Sequence, residues 1–167
     1  NSFANNGFRV LRKEVNKGVS DSRNKGIGES KGKYLLTLDA DDRILPSYLE
    51  KSFVRLEEGY SVVYCNYKRF GLSDNVLQVP EFSFAQLLAG NYIVNCSAFT
   101  KAVWNKTGGF DTGMSHYEDW EFWINAASKG AGFYHIDEVL FEYRHKAVSQ
   151  NIKCADPDYR SEVVRYV

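Results

Sequence analysis

The sequence has no net charge and no long apolar run, and each absence excludes a class of protein. Lys and Arg total 21, as do Asp and Glu, so no overall field draws the chain to nucleic acid or to an anionic membrane. No apolar stretch reaches the length of a bilayer crossing, and the first residues do not resemble a signal peptide. We therefore predict a soluble, cytoplasmic chain that does not bind nucleic acid.

Cysteine is scarce, which argues against a disulfide framework or a zinc site. Cys65, Cys96 and Cys154 are far apart, and no CxxC or Cys/His ligand spacing occurs. We interpret them as reduced thiols of a cytosolic protein, and one disulfide remains an alternative.

Aromatic residues are abundant. They make up 15% of the chain, with eleven Tyr and eleven Phe, which is typical of a packed domain and not of a disordered tail. A length of 167 residues suits one domain, 1–167, with a real core.

Apolar periodicity predicts an α/β fold. Continuous apolar runs at 34–38 and 61–65 predict buried strands, and the spacing of Leu49, Phe53 and Leu56 predicts a helix between Pro46 and Gly59. Strands that alternate with helices at these lengths predict parallel pairing with crossover helices. The other predicted elements are strands at 8–11, 96–100, 133–136 and 139–143 and helices at 20–30, 82–89, 102–106 and 117–129, the last with an apolar stripe of Trp120, Trp123, Ile124 and Ala127.

The first candidate site is a group of acids at the end of a predicted strand. Asp39, Asp41 and Asp42 follow the run at 34–38, and ligands of open α/β folds bind beyond the carboxyl ends of the strands. Asp39 and Asp41 project to the same side of an extended backbone, so they can share a divalent cation such as Mg²⁺ or Mn²⁺. A polar turn that caps the next helix is the structural alternative.

Other acid-rich or phosphate-binding motifs do not fit. An EF-hand that begins at Asp39 needs glycine where Ile44 stands and an oxygen ligand where Arg43 stands. No GxxxxGK[ST] segment exists. An aspartyl-phosphate phosphatase needs a small hydroxyl residue at the position of Arg43.

A second group of acids opens the predicted helix at 117–129. Glu118, Asp119 and Glu121 lie in its first turn, where acids also complement the helix dipole. On this group alone, the helix-dipole interpretation is the simpler one.

Taken together, the motifs resemble family 2 of the inverting glycosyltransferases, which have the GT-A fold. The resemblance runs from about residue 10 to about residue 149. Its ordered motifs are NKGVS (16–20) with RNKG (23–26), GKYLLTLDADD (32–42), GGFD (108–111), EDWEFW (118–123) and YRH (143–145).

The resemblance implies a role for several residues. Asp39 and Asp41 match the DxD element that holds Mn²⁺ or Mg²⁺ against the diphosphate of a nucleotide sugar, with Asp41 the more direct ligand and Asp39 also near the ribose. His145 matches a late position near the metal or the diphosphate. Asp119 matches the general base that takes a proton from the acceptor hydroxyl. Further substrate contacts are implied for Arg23, near the nucleobase, and for Glu118 and Trp120.

The resemblance also implies the two substrates of the reaction and its place in the cell. The donor is a nucleotide-diphosphate sugar and the acceptor a glycan or lipid-linked glycan, typically of a bacterial surface polysaccharide made at the cytoplasmic face of the membrane. The family's first strand–helix–strand is not found before Asn1. We therefore expect a sheet with an exposed edge open to homodimer formation, and weak donor binding by the isolated chain. The alternative from another class is a non-catalytic domain of the same fold that binds a sugar or nucleotide.

Overall fold

A six-stranded sheet with helices on both faces forms the described part of the chain. The computed structural model describes residues 9–146. In chain order the elements are α1 (Gly18–Glu29), β1 (Tyr34–Leu36), β2 (Arg43–Ile44), α2 (Tyr48–Glu57), β3 (Val62–Gly71), β4 (Val76–Leu77), α3 (Phe84–Ala89), β5 (Ala98–Thr100), α4 (Lys101–Thr107), α5 (Glu118–Ser128) and β6 (Phe133–His145).

The sheet is mixed, with the strand order β1-β5-β3-β6-β2 and with β4 paired to β3. Its longest pairing, β3 with β6, is parallel, and the shorter pairings are antiparallel. Because β1 and β3 are both antiparallel to β5, they run in the same direction with β5 between them. The α/β class is confirmed, and β1 lies at one edge of the sheet that the described residues form.

Most predicted elements are present, and the differences have simple causes. Residues 9–11 form no strand, and residue 8 of that predicted strand lies outside the described part of the chain. The two short strands predicted at 133–136 and 139–143 are one strand, β6, because its parallel pairing with β3 continues past an irregularity near Asn66. The two-residue strands β2 and β4 are too short to produce a periodic signal.

The helix predicted between Pro46 and Gly59 is present as α2, but of the three apolar residues that predicted it only Leu56 is buried. Leu49 and Phe53 are 55% and 53% exposed, whereas Tyr48, Ser52 and Leu56 are buried. Residues 48, 52 and 56 recur every four positions and therefore share the helix face that meets the sheet. The Tyr48 hydroxyl donates a hydrogen bond to the Cys96 carbonyl at 2.7 Å, which allows this polar group to be buried.

Alternate residues of β3 belong to two cores, one on each face of the sheet. Val63 and Cys65 pack with α2, whereas Val62 and Tyr64 pack with α3, α4 and α5. In the second core Phe110 stacks on Phe122 with 4.4 Å between ring centroids. Fully burying such a side chain contributes roughly 1.5–3 kcal/mol, so this core fixes the position of α5.

The cysteines within residues 9–146 are reduced and buried. Cys65 and Cys96 are free, and burial raises the pKa of the Cys65 thiol to about 12. Cys154 lies outside the described residues. Across the described range, no helix has the length and apolar character needed to cross a membrane.

Candidate active site

One cavity of about 540 Å³ brings together most of the predicted site residues. Arg23, Asp39, Asp41, Glu118 and Asp119 all line it. They come from α1, from the turn after β1 and from the start of α5, which are far apart in the sequence. The two groups of acids therefore face the same space.

The aspartate turn, residues 39–42, joins β1 to β2. The Asp42 amide donates a hydrogen bond to the Asp39 carbonyl at 3.1 Å, which closes the turn. The Asp39 and Asp41 side chains remain 44% and 37% exposed, so both carboxylates are open to solvent and ligands. The turn thus presents two accessible carboxylates at the carboxyl end of β1.

Cationic side chains from the end of β6 neutralise this turn. Lys146 Nζ lies 2.5 Å from Asp41 Oδ2, and its hydrogen bond is the largest cause that holds the pKa of Asp41 below the ordinary value. The Arg144 Nε donates to the Asp41 carbonyl at 3.0 Å. Asp41 is therefore an ionised carboxylate that has already attracted a positive charge.

Asp42 is the buried member of the turn. Its Oδ1 accepts a hydrogen bond from the Arg144 amide at 2.8 Å, while its Oδ2 has no partner within residues 9–146. Burial raises the pKa of Asp42 to about 6, against the effect of the Arg144 hydrogen bond. Asp42 thus ties the turn to β6.

Arg23 connects the aspartate turn to α5. Its guanidinium lies 3.1 Å from Asp39 Oδ1 and 2.5 Å from Glu118 Oε1, and its side chain is only 9% exposed. With two carboxylates as partners, Arg23 organises the cavity wall, and its place near the nucleobase stays a prediction.

Asn24 fixes the helix that carries Arg23. Its Oδ1 accepts hydrogen bonds from the Phe110 amide at 2.9 Å and from Trp104 Nε1 at 3.0 Å. Gly109 has a φ of +89°, and a Cβ there would lie 2.7 Å from Asn24 Oδ1, so this approach requires glycine. The GGFD motif therefore serves to dock α1.

The start of α5 positions Asp119. Tyr117 precedes the helix with a φ of +61°, a left-handed conformation that is strained for a tyrosine. Asp119 Oδ1 accepts hydrogen bonds from the Trp120 amide at 2.8 Å and from Asn91 Nδ2 at 3.3 Å. Burial, followed by the charge of Glu118, raises the pKa of Asp119, so this carboxylate is a better proton acceptor than an ordinary aspartate.

Two predicted site residues lie away from the cavity wall. Trp120 is 2% exposed, and its indole nitrogen donates to the Leu87 carbonyl at 2.6 Å, so its ring packs in the core instead of against a substrate. His145 Nδ1 is hydrogen-bonded to Ser73 Oγ at 2.8 Å, beyond the end of β3. Both side chains are engaged by other parts of the fold.

The chemistry of the turn suits a divalent cation held partly by substrate. Within residues 9–146, no three metal-ligating side chains converge. Mg²⁺, however, is commonly held by one or two carboxylates together with substrate phosphates, and Asp39 and Asp41 supply two accessible carboxylates on one cavity. The cation on Asp41 Oδ2, supplied by Lys146, marks where a positive charge is favourable.

Sequence reasoning missed several residues of the cavity wall. Tyr67 and Arg69 on β3, Tyr143 on β6 and Asn91 after α3 all line it. Tyr67 and Arg69 are two apart near the end of a strand, which is the signal that could have placed them on one face. Nothing in the local sequence marks Asn91.

A second groove of about 400 Å³ adjoins the cavity between α1 and β1. It shares Arg23 and Asp39 with the first cavity, and it is lined by apolar residues that include Ile27 and Leu35. It lies beside the edge strand β1, where we expected an exposed edge.

The chain is similar in sequence to known glycosyltransferases. Residues 1–117 match the family described as "Glycosyl transferase family 2". An uncharacterized glycosyltransferase of Methanocaldococcus jannaschii is 29% identical over 143 residues, which cover 80% of this chain and 49% of the relative. A chondroitin synthase of Pasteurella multocida is 23% identical over 169 residues, 97% of this chain but 17% of that protein.

A solved structure matches the fold. The crystal structure of S. aureus TarS residues 1–349 in complex with UDP-GlcNAc superposes with a TM-score of 0.70 at 17% identity, covering 84% of this chain and 43% of that one. This likeness establishes the GT-A-like fold. The chain spans less than half the length of this structure and about half the length of the M. jannaschii relative.

Proposed function

The chain belongs to glycosyl transferase family 2, and from that premise we propose that it moves a sugar from a nucleotide-diphosphate sugar to a hydroxyl group of a glycan or lipid-linked glycan. The observation that carries the proposal is that Asp119 and the Asp39–Asp41 pair line one cavity. Binding of UDP-GlcNAc by the TarS fold relative and the chondroitin synthase match support a UDP-sugar donor and a polysaccharide product.

Asp119 is the proton acceptor of the proposed reaction. The acceptor hydroxyl attacks the anomeric carbon as its proton passes to Asp119, and the bond from that carbon to the diphosphate oxygen breaks with its electrons on the leaving diphosphate. Attack from the side opposite the leaving group inverts the anomeric centre. The raised pKa of Asp119 supports this role, because a stronger base takes the proton more readily.

The aspartate turn and the basic side chains around it hold the charged end of the donor. A divalent cation on Asp39 and Asp41 would supply positive charge to the departing diphosphate. Arg69, Arg144 and Lys146 line the same cavity, and they supply positive charge from the chain itself. Arg23 keeps Asp39 and Glu118 in place at the two ends of the site.

The proposal is tested by offering the purified protein a panel of UDP-, GDP- and dTDP-sugars with Mn²⁺ or Mg²⁺ and a mixture of oligosaccharide acceptors. We expect release of one nucleoside diphosphate that depends on acceptor, and an NMR spectrum of the product that shows an inverted anomeric centre. If the protein binds a nucleotide sugar but no combination of donor, cation and acceptor gives turnover, the non-catalytic alternative is supported instead. Retention of anomeric configuration would contradict the single-displacement mechanism.

A further inference from the structure

The two oxygens of the Asp119 carboxylate are in different surroundings. Oδ1 receives the Trp120 amide hydrogen at 2.8 Å and the side-chain amide of Asn91 at 3.3 Å. Oδ2 receives no hydrogen bond from any residue in the described range 9–146. An ionised carboxylate only accepts, so the amide nitrogen of Asn91 must be the group that faces it. One oxygen is thus held by the protein and the other is left for substrate.

The segment that carries Asn91 is anchored to the start of α5. The indole nitrogen of Trp120 donates to the Leu87 carbonyl at 2.6 Å, and Ile93 is buried. The Tyr92 hydroxyl accepts from the Ser83 amide at 3.0 Å and donates to the Ser83 carbonyl at 3.1 Å. These contacts hold the backbone on both sides of Asn91, although the Asn91 side chain itself is exposed and lines the cavity.

We propose that Asn91 is the positioning residue of the base: its amide holds Oδ1 and thereby directs Oδ2 at the acceptor hydroxyl. This inference rests on the proposed function, because it assigns Oδ2 as the atom that takes the proton. Asn91 comes from the connection between α3 and β5, so the base is oriented by a segment outside its own helix.

The charges around Asp119 fit an orientation by a neutral amide. Glu118 on the same helix opposes ionisation of Asp119, and Arg23 from α1 favours it. Burial is the largest cause that raises the pKa of Tyr67 on β3, and the charge of Asp119 adds to it, which places that phenol near the base. The uncharged amide of Asn91 orients the Asp119 carboxylate by a hydrogen bond and does not form an ion pair with it.

The test replaces the amide and leaves the base in place. Asn91→Ala removes the donor, and the isosteric Asn91→Asp turns it into a second acceptor, which also introduces a like charge. We expect Asn91→Ala to lower kcat about tenfold with the donor KM within about twofold, and Asn91→Asp to lower kcat about a hundredfold. Loss of the Asn91 hydrogen bond destabilises the ionised Asp119 carboxylate and raises its pKa. The acid limb of the kcat–pH profile therefore moves to higher pH in both variants.

The matched controls are Asn105→Ala and Asn105→Asp, on the exposed face of α4. We expect them to leave kcat and the pH profile unchanged. The ¹³C carboxyl resonance of Asp119, assigned by its loss in Asp119→Asn, gives a readout that needs no turnover. Its titration midpoint should rise in Asn91→Ala and rise further in Asn91→Asp.

An unchanged midpoint and an unchanged acid limb in both Asn91 variants would overturn the proposal. A loss of kcat with no movement of either would show a structural role only, and would equally overturn it. If the wild-type protein transfers no sugar, the proposed function fails, and the Asp119 titration still decides whether Asn91 orients the carboxylate.

Discussion

The aspartate turn and the first turn of α5 place acids on the same cavity in opposite electrostatic settings. Asp41 lies beside Lys146, which holds its pKa below the ordinary value. Asp119 is partly buried beside Glu118, and its pKa is raised. Two carboxylates whose surroundings push their pKa values apart are suited to different tasks. Asp41 stays ionised and can hold positive charge, and Asp119 can exchange a proton.

The two regions also differ in where their partners come from. The turn is neutralised by Lys146, which directly follows β6, and by Arg23 of α1. Asp119 is oriented by its own helix and by Asn91. Arg23 contacts both regions, through Asp39 and Glu118. Variants that act on one region alone can therefore separate binding of the diphosphate from proton transfer.

The largest effect is expected from Asp119→Asn, which removes the proton acceptor and keeps the shape of the side chain. We expect kcat to fall about a thousandfold, since general base catalysis contributes about 10²–10⁴. The affinity for UDP, measured by calorimetry, should stay within about twofold. Asp74→Asn, at an exposed acid in a loop, is the control. A kcat within a few-fold of wild type would remove Asp119 from the mechanism.

Asp41→Asn should give the opposite pattern. The neutral amide is a weaker cation ligand, so we expect the Mn²⁺-dependent part of UDP affinity to fall by at least about tenfold. Calorimetric titration of UDP with and without Mn²⁺ measures this part. If Mn²⁺ strengthens UDP binding equally in wild type and in Asp41→Asn, the cation is not held at this carboxylate.

Arg23→Gln should affect both regions through stability. Removing the guanidinium leaves the largely buried Glu118 without a counter-charge, which costs about 2 kcal/mol. This is less than for a fully buried pair, because Asp39 stays solvated. Thermal unfolding measures the loss. The double variant Arg23→Gln with Glu118→Gln should recover much of it, and additive losses would show that the Arg23–Glu118 pair is not the cause.

The smallest effect concerns pH. Asp119 must be ionised to accept a proton, and its pKa is raised, so kcat should fall as the pH drops below neutral. Glu118→Gln removes a like charge, which lowers the pKa of Asp119 and moves the acid limb to lower pH by about half a unit to one unit. A limb that moves to higher pH would mean that Glu118 helps to keep Asp119 ionised.

The site residues differ in how well a local sequence pattern predicts whether they face the cavity. Asp39 and Asp41 end an apolar run, and Asp119 opens a helix rich in aromatic residues, so each belongs to a strong local pattern. Trp120 belongs to the same motif, yet its apolar ring is drawn into the core, and motif membership alone does not predict exposure. On α2 the buried face includes the polar Ser52, whereas the apolar Leu49 and Phe53 are exposed, so apolar spacing alone did not identify the buried face.

Periodicity and motif spacing are local properties of the chain, so the α/β class, most helices and strands, and the residue types that carry the chemistry could be predicted from the amino-acid sequence. Three arrangements depend on the packing of distant segments: β5 lies between β1 and β3, Arg23 joins Asp39 to Glu118, and Asn91 reaches Asp119. These contacts join residues 16 to 95 positions apart. Such pairs leave no local pattern, and they form only when the packed sheet and helices hold both partners in place.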